Sequence, residues 1–442
     1  MNLDLWTKGC DISKGNMMER GLRSIAAGVM VALAGGTGAA LAEDTVLTLW
    51  NNGACAAENC LVRSLAEDFQ SKNPGITIDI IEQPSDSYFT ALLAASVTGS
   101  GPDLATMWAG GYITPYKPFL ENLVSYIPAE NVASSIGTPY YAEVGDATKV
   151  LYAVPLDNQW YTGFYNKAIF AANGIAEVPR SFDELLAACT KLKAAGVLPI
   201  ISGAGTTEAQ FQPSFEFSYL AAALPMSDWN GLYNGKLAYD NPVLIAQLER
   251  WNGLYKAGCM NEDAFNRQDS QASFAAGNAA MYLQTGSWAI PELKAALGDK
   301  LGIMLPPYFE KPTKSIVALA GGGIVMPNYS KHKDAAGAFL AYILSDAGQS
   351  LMAGITAPTR PGFPTTDPLV NELSSMSTDP TWQNYPMFDN FTQPAVTDAF
   401  YRNLALVLVG EMGAEDALKS MDAAFASLPE DQKNVNYGLK GK

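Results

Sequence analysis

Tryptophans stand at the ends of apolar strand-like runs, and polar side chains sit beside them. Trp50 closes Thr45–Trp50 and leads into Asn51-Asn52, and Trp108 closes Leu104–Trp108. Trp160 stands with Tyr161 after Asp157-Asn158-Gln159, and Trp288 follows Gly286-Ser287. Flat aromatic faces beside amides and carboxylates suit a polar, uncharged ligand. Composition agrees, with 10% aromatic and only 16% charged residues. The net charge of −16 opposes nucleic acid and anionic membrane surfaces. A single histidine, His332, argues against histidine-based catalysis and multi-histidine metal sites. It lies in the basic run Ser330-Lys331-His332-Lys333, which reads as an exposed surface stretch.

The elements that position these residues alternate. Strand Thr45–Trp50 is followed by a helix carrying Leu61, Leu65 and Phe69, which Asn73-Pro74-Gly75 stops. Strand 76–81, helix 88–95 and strand 104–108 follow, an order that makes right-handed crossovers and a mainly parallel sheet. Short strands are expected at 151–155 and 163–166. Ser181 with Glu184 three residues on forms a capping-box pattern at the start of a helix. Helices are also expected over 268–281, 331–345 and 398–426, with a strand ending at Gly286-Ser287-Trp288. At 442 residues the chain is long enough for two or three domains.

Residues 1–42 read as a removable export signal. Arg20 and Arg23 precede the apolar stretch 25–33, and Ala40-Leu41-Ala42 forms a small-x-small cleavage site. The stretch is shorter than the ~20 residues that span a bilayer. Met17 or Met18 is an alternative start. No cysteine stands at the cleavage point, so no lipid anchor is expected. Cys10 falls in the removed part. Pairing of the remaining cysteines, Cys55 with Cys60 and Cys189 with Cys259, is plausible in an oxidising compartment, the alternative being buried free thiols.

Five segments, in order, resemble the family 1 extracellular solute-binding proteins, the sugar receptors of bacterial ABC importers. They are the opening strand-helix-strand through Phe69–Ile76, Gly101-Pro102-Asp103-Leu104, and the stretch from Tyr152-Ala153-Val154-Pro155 through Tyr165-Asn166-Lys167 to Ser181–Leu186. Phe274–Met281 with Gly286-Ser287-Trp288, and Gly321-Gly322-Gly323 with Ser330–Lys333, complete the set. The resemblance implies an α/β, two-lobed periplasmic-binding-protein fold of type II, like the maltose-binding protein, with three inter-lobe crossings and a ligand cleft. The crossings map near 155–157, 302–306 and 345–351. The N-lobe is then 43–155 plus 305–348, and the C-lobe 156–304 plus 349–442.

That resemblance also implies a sugar ligand, an inner-membrane permease partner, a periplasmic location and hinge closure, with no catalysis, cofactor or metal and a monomeric state. A sugar ring presents apolar C–H faces and a belt of hydroxyls. Candidate rings are Trp50, Trp108 and foremost Trp288, whose preceding Gly286-Ser287 would let backbone approach the ligand; Trp160, Tyr112, Trp229 and Trp382 come behind them. Candidate polar partners are Asn51, Asn52, Asp157, Asn158, Gln159, Glu216, Ser287, Gly322 and Arg360. An aromatic-rich cleft leans towards an oligosaccharide or glycoside. Two other readings stay open: a secreted carbohydrate-active enzyme, and the same fold holding a polyamine, ferric ion or phosphodiester. The pair Tyr140-Tyr141, a conceivable ferric ligand, reads better as a packed loop. Delivery to a chemosensor is not separable from delivery to a permease.

Overall fold

The computed structural model describes residues 44–52, 60–142, 146–204 and 207–433. The expected export signal with its cleavage after Ala42, and Cys55, lie outside them. Among the described residues the strands form two sheets. They are β1 (Thr45–Asn52), β2 (Ile76–Gln83), β3 (Leu104–Met107), β4 (Ala153–Pro155), β5 (Asn158–Asn166), β6 (Ile200–Ile201), β7 (Met281–Gly286), β8 (Leu301–Met304), β9 (Ser315–Ala320), β10 (Gly323–Val325) and β11 (Gln383–Tyr385). Among the helices that frame them are α1 (Leu61–Lys72), α2 (Ser85–Thr98), α3 (Phe182–Ala194), α4 (Thr207–Ala221), α5 (Pro242–Lys256), α6 (Lys333–Ile343), α7 (Asp346–Ala353) and α8 (Pro394–Val409).

The first sheet has the order β2-β1-β3-β10-β4. Its first strands are parallel, as the strand-helix-strand pattern requires, while β10 runs antiparallel to β3 and β4. Leu47 and Leu49 alternate into the core, and α1 covers them with Leu65 and Phe69. Phe69 meets Phe339 of α6 with ring centroids 5.3 Å apart. His332 is a surface residue whose Nδ1 lies 3.2 Å from Asp103, a carboxylate that also accepts from Ser330 Oγ and the Thr48 amide.

In the second sheet the order is β11-β9-β5-β7-β6, with β8 also pairing β5. Strand β5 starts earlier than the sequence suggested and runs the length of the sheet. The expected helix over 268–281 is only Ser270–Ala275, and the expected 398–426 helix is broken into α8 and Ala414–Ala426 around Gly410, which is left-handed. At the start of α3, Ser181 Oγ accepts from the Glu184 amide, but Glu184 reaches back to the Arg180 amide, one residue earlier than a capping box predicts. Cys189 of α3 is disulfide-bonded to Cys259 beyond α5, and Cys60 is also disulfide-bonded.

The chain changes sheet where hydrogen bonds converge on one residue. Asp157 lies between β4 and β5, and its carbonyl accepts from the Gly321 amide at 2.6 Å. Its carboxylate accepts from Thr356 Oγ1 at 2.8 Å and Gln159 Nε2 at 3.2 Å. Beside it the Leu156 amide donates to Gly322, and the Asn158 amide to Ala357. The three crossings are therefore tied together at 155–158, 321–322 and 356–358. Two lie later than the sequence mapping placed them. β9 still pairs β5, so the second change of sheet falls at Gly321-Gly322 and not near 302–306. Helix α7 still packs on α1, so the third follows Ala353 and not 345–351. Arg360 braces this region: its guanidinium donates to Ser134 Oγ, the Leu344 carbonyl and Asp346.

Burial pushes the Asp157 carboxyl from 3.8 up to about 7, and likewise Glu216 from 4.5 to about 7. Between those values the folded chain keeps protons that the unfolded chain has released. The stability these two carboxyls contribute is thus fully present below about pH 4 and is lost as pH rises through 7. The melting temperature should drop by roughly 5 °C or more from pH 5 to pH 8. Asp157→Asn and Glu216→Gln should each flatten part of that slope in a calorimetric pH series, and an unchanged slope in both would contradict the assignment.

Candidate functional site

Strand alternation sorts the aromatic residues of β5. Trp160 and Phe164 point into a core layer with Ile316 and Ala357, whereas Tyr161 points the other way. Tyr161 meets Phe215 of α4 at 4.6 Å and Trp288 at 5.7 Å between ring centroids, and Phe215 meets Trp288 at 5.4 Å. Trp288 stays 38% exposed, a large ring left open to solvent on an aromatic base. Its ring folds back over Gly286, where a Cβ would sit 2.1 Å from it. That glycine makes room for the Trp288 ring.

A second aromatic wall rises from the first sheet. Trp108, just beyond β3, packs edge-on against Phe89 of α2 and Tyr112, each at 4.8 Å. Hydrogen bonds join the two walls: Tyr112 and Tyr401 hydroxyls are 3.1 Å apart, and Tyr401 and Tyr161 donate to the two oxygens of Asp389 at 3.1 and 3.0 Å. Burial raises Asp389 and, with that carboxylate alongside, holds Tyr161, Tyr401 and Tyr112 protonated. Phe89, Tyr112, Tyr116, Asp389, Tyr401 and Arg402 are among the residues around a cavity of about 430 Å³, so both halves of the chain contribute. Another hollow of about 410 Å³, beside Lys294 and Asp367, has no aromatic ring in its lining. Volumes of 300–1,000 Å³ with apolar walls and few polar groups are typical of small-molecule sites.

Of the residues nominated from sequence, Trp108 and Trp288 stand in these walls. Trp50 is half-buried at the end of β1, its carbonyl accepting from Tyr88. Asn51 donates to Glu82, and Asn52 Nδ2 is buried with no partner among the described residues. Trp160 is a correction: it is core, and its amide donates to Ser287 Oγ, which occupies that serine too. Asp157, Asn158, Gln159 and Gly322 belong to the crossing knot, where Asn158 Nδ2 also holds the Pro358 carbonyl. Arg360 braces the fold. Glu216 is wholly buried beneath the sheet, bonded by Gln284 Nε2 and the Tyr308 hydroxyl. Trp229 is fully buried, and Tyr140-Tyr141 are packed as expected, Tyr141 on the Gly321 carbonyl. Phe89, Phe215, Asp389 and Tyr401 were missed, and Tyr112 was ranked low. Among the described residues no group of three His, Cys, Asp or Glu is placed to hold a metal ion.

Comparison with known proteins adds three findings. The model of the bacterial extracellular solute-binding protein family matches residues 61–350. Binding proteins of Brucella abortus and Brucella suis share 30% identity over 131 residues, which is 29% of this chain and spans only 31% of theirs. Among solved structures, a chitin oligosaccharide binding protein superposes with a TM-score of 0.74 at 21% identity, covering 87% of this chain and 99% of that one. Maltose-bound MalE3 of T. maritima superposes at 0.69 with 19% identity, covering 87% and 100%. These likenesses establish the two-lobed fold.

Trp288→Ala should weaken ligand binding at least about tenfold, ~1.4 kcal/mol, with little change in melting temperature. Trp160→Ala should instead lower stability by about 3–5 kcal/mol, as for large core rings. Calorimetric titration and thermal melts separate the two; matching behaviour of both variants would contradict the sorting by strand face.

Proposed function

Because the chain belongs to the bacterial extracellular solute-binding protein family, we propose that it captures a sugar, an oligosaccharide or glycoside, between its lobes and delivers it to the permease of an ABC importer. The cavity carries this reading. Its lining carries the rings of Phe89, Tyr112, Tyr116 and Tyr401, it comes from both halves, and its polar groups include Asp389, which accepts from the Tyr161 and Tyr401 hydroxyls, beside Asp398 and Arg402. Such a surface offers faces to C–H groups and hydrogen bonds to a hydroxyl belt. The names of the structural relatives, binders of chitin oligosaccharide and maltose, point the same way.

The lobes on this reading follow the sheets: 43–155 with 323–353 on one side, 158–320 with 358–442 on the other, pivoting on the knot between them. The protein acts by closing over its ligand, as a monomer, without catalysis, cofactor or metal. The buried carboxylates Asp157, Glu216 and Asp389 support binding over acid–base chemistry, since each already accepts hydrogen bonds from side chains of the fold. Export to the periplasm by residues 1–42, with cleavage after Ala42 and no lipid anchor, completes the proposal; no helix among the described residues is long and apolar enough to cross a membrane.

A thermal-shift screen of the exported protein against mono-, di- and trisaccharides, polyols, polyamines and ferric citrate tests the reading. A ligand at 100 times its Kd stabilises by about 2.7 kcal/mol. A saccharide should raise the melting temperature; a rise with polyamine or iron alone would keep the fold and remove the sugar.

A further inference from the structure

The loop after β3 and the turn after β11 meet main chain to main chain. The Gly111 amide donates to the Asn390 carbonyl at 2.6 Å, and Asn390 Nδ2 donates to the Ala109 carbonyl at 3.3 Å. β3 belongs to the first sheet and β11 to the second, so these bonds join the two halves. They lie beside the cavity, because Gly111 and Asp389 both line it. Gly110 sits at the centre of the contact. A Cβ there would be 1.9 Å from the Asn390 carbonyl oxygen and 2.8 Å from its carbon. Those are backbone atoms and cannot swing aside as a flexible side chain does. Gly110 also has φ +69°, a left-handed conformation that other residues adopt at a cost.

We infer that Gly110 is the closure-determining residue of this protein: its bare backbone lets residues 109–111 clasp Asn390 across the cleft, and that clasp holds the halves shut and walls the site. The inference rests on the two-lobe reading above but not on the ligand's being a sugar. Closing makes the amide and carbonyl bonds together with the Tyr112–Tyr401 contact; opening returns those groups to water. A methyl at position 110 blocks the approach, because the atoms it meets first are the Asn390 carbonyl and the Phe391 ring. The clash arises only where residues 109–111 meet Asn390, so the substitution acts on the equilibrium between the two states.

Small-angle scattering of the exported protein, with and without a ligand that raises the wild-type melting temperature, reads the clasp directly. With ligand bound the wild type should give the radius of gyration calculated for this closed arrangement, and Gly110→Ala at saturating ligand a larger one, its ligand being bound at least tenfold more weakly. Tyr112→Phe, which removes only the hydroxyl at the seam, should move scattering the same way by less, and serves if Gly110→Ala fails to fold. Identical scattering of variant and wild type would overturn the inference. The same scattering difference seen with polyamine or ferric citrate, and with no saccharide, would uphold the clasp while removing the sugar reading.

Discussion

Asp157 holds a carboxylate in a buried place, bonded by a threonine hydroxyl, a glutamine amide and no cation in its hydrogen-bond set. Removing such a group from water is costly unless every lone pair finds a donor. Here the donors come from separate stretches of chain, and the carbonyl of the same residue takes a further one from Gly321. The result is that three crossings, far apart in sequence, are fixed within hydrogen-bond distance of one another. A fold with two sheets and three connections needs a point about which both sheets keep their register, and this knot supplies it. Raising the carboxyl towards neutrality is the electrostatic trace of that placement.

From the knot the site follows by strand geometry. β5 leaves it directly, so the face that Tyr161 occupies is set within four residues of the pivot. α4 and the Gly286–Trp288 turn then stack Phe215 and Trp288 on Tyr161. On the other side β3 delivers Trp108 and Tyr112, braced by Phe89. The hydroxyl chain through Tyr401 and Asp389 joins the two walls, because α8 brings Tyr401 up to Tyr112.

Much of this was legible in the sequence, for identifiable reasons. The opening strand-helix-strand carries both periodicities cleanly, and Trp108 and Trp288 could be placed because a strand ends just before each. Trp160 misled because adjacent residues on a strand face opposite ways, and nothing local says which face is the core. Counting outward from Tyr161 in alternation with Phe164 would have separated them. Glu216 misled because on a helix one residue turns about 100° from its neighbour, which puts Phe215 at the cleft and Glu216 beneath the sheet. Asp389 and Tyr401 carried no pattern at all; their role comes from contacts spanning 228 and 289 residues. The late crossings were missed because β9 looks like an ordinary apolar run, and only its pairing with β5 assigns it to the second sheet.

In the proposed closure two walls move about a fixed knot. Hydrogen exchange by mass spectrometry, with and without a saccharide that stabilises the protein, tests it most directly. Protection should rise over 108–112, around Phe215 and at 286–288, while the amides of Leu156, Asn158 and Gly321 exchange equally slowly in both states. Exchange that changes at those three amides and leaves the aromatic segments untouched would contradict the account.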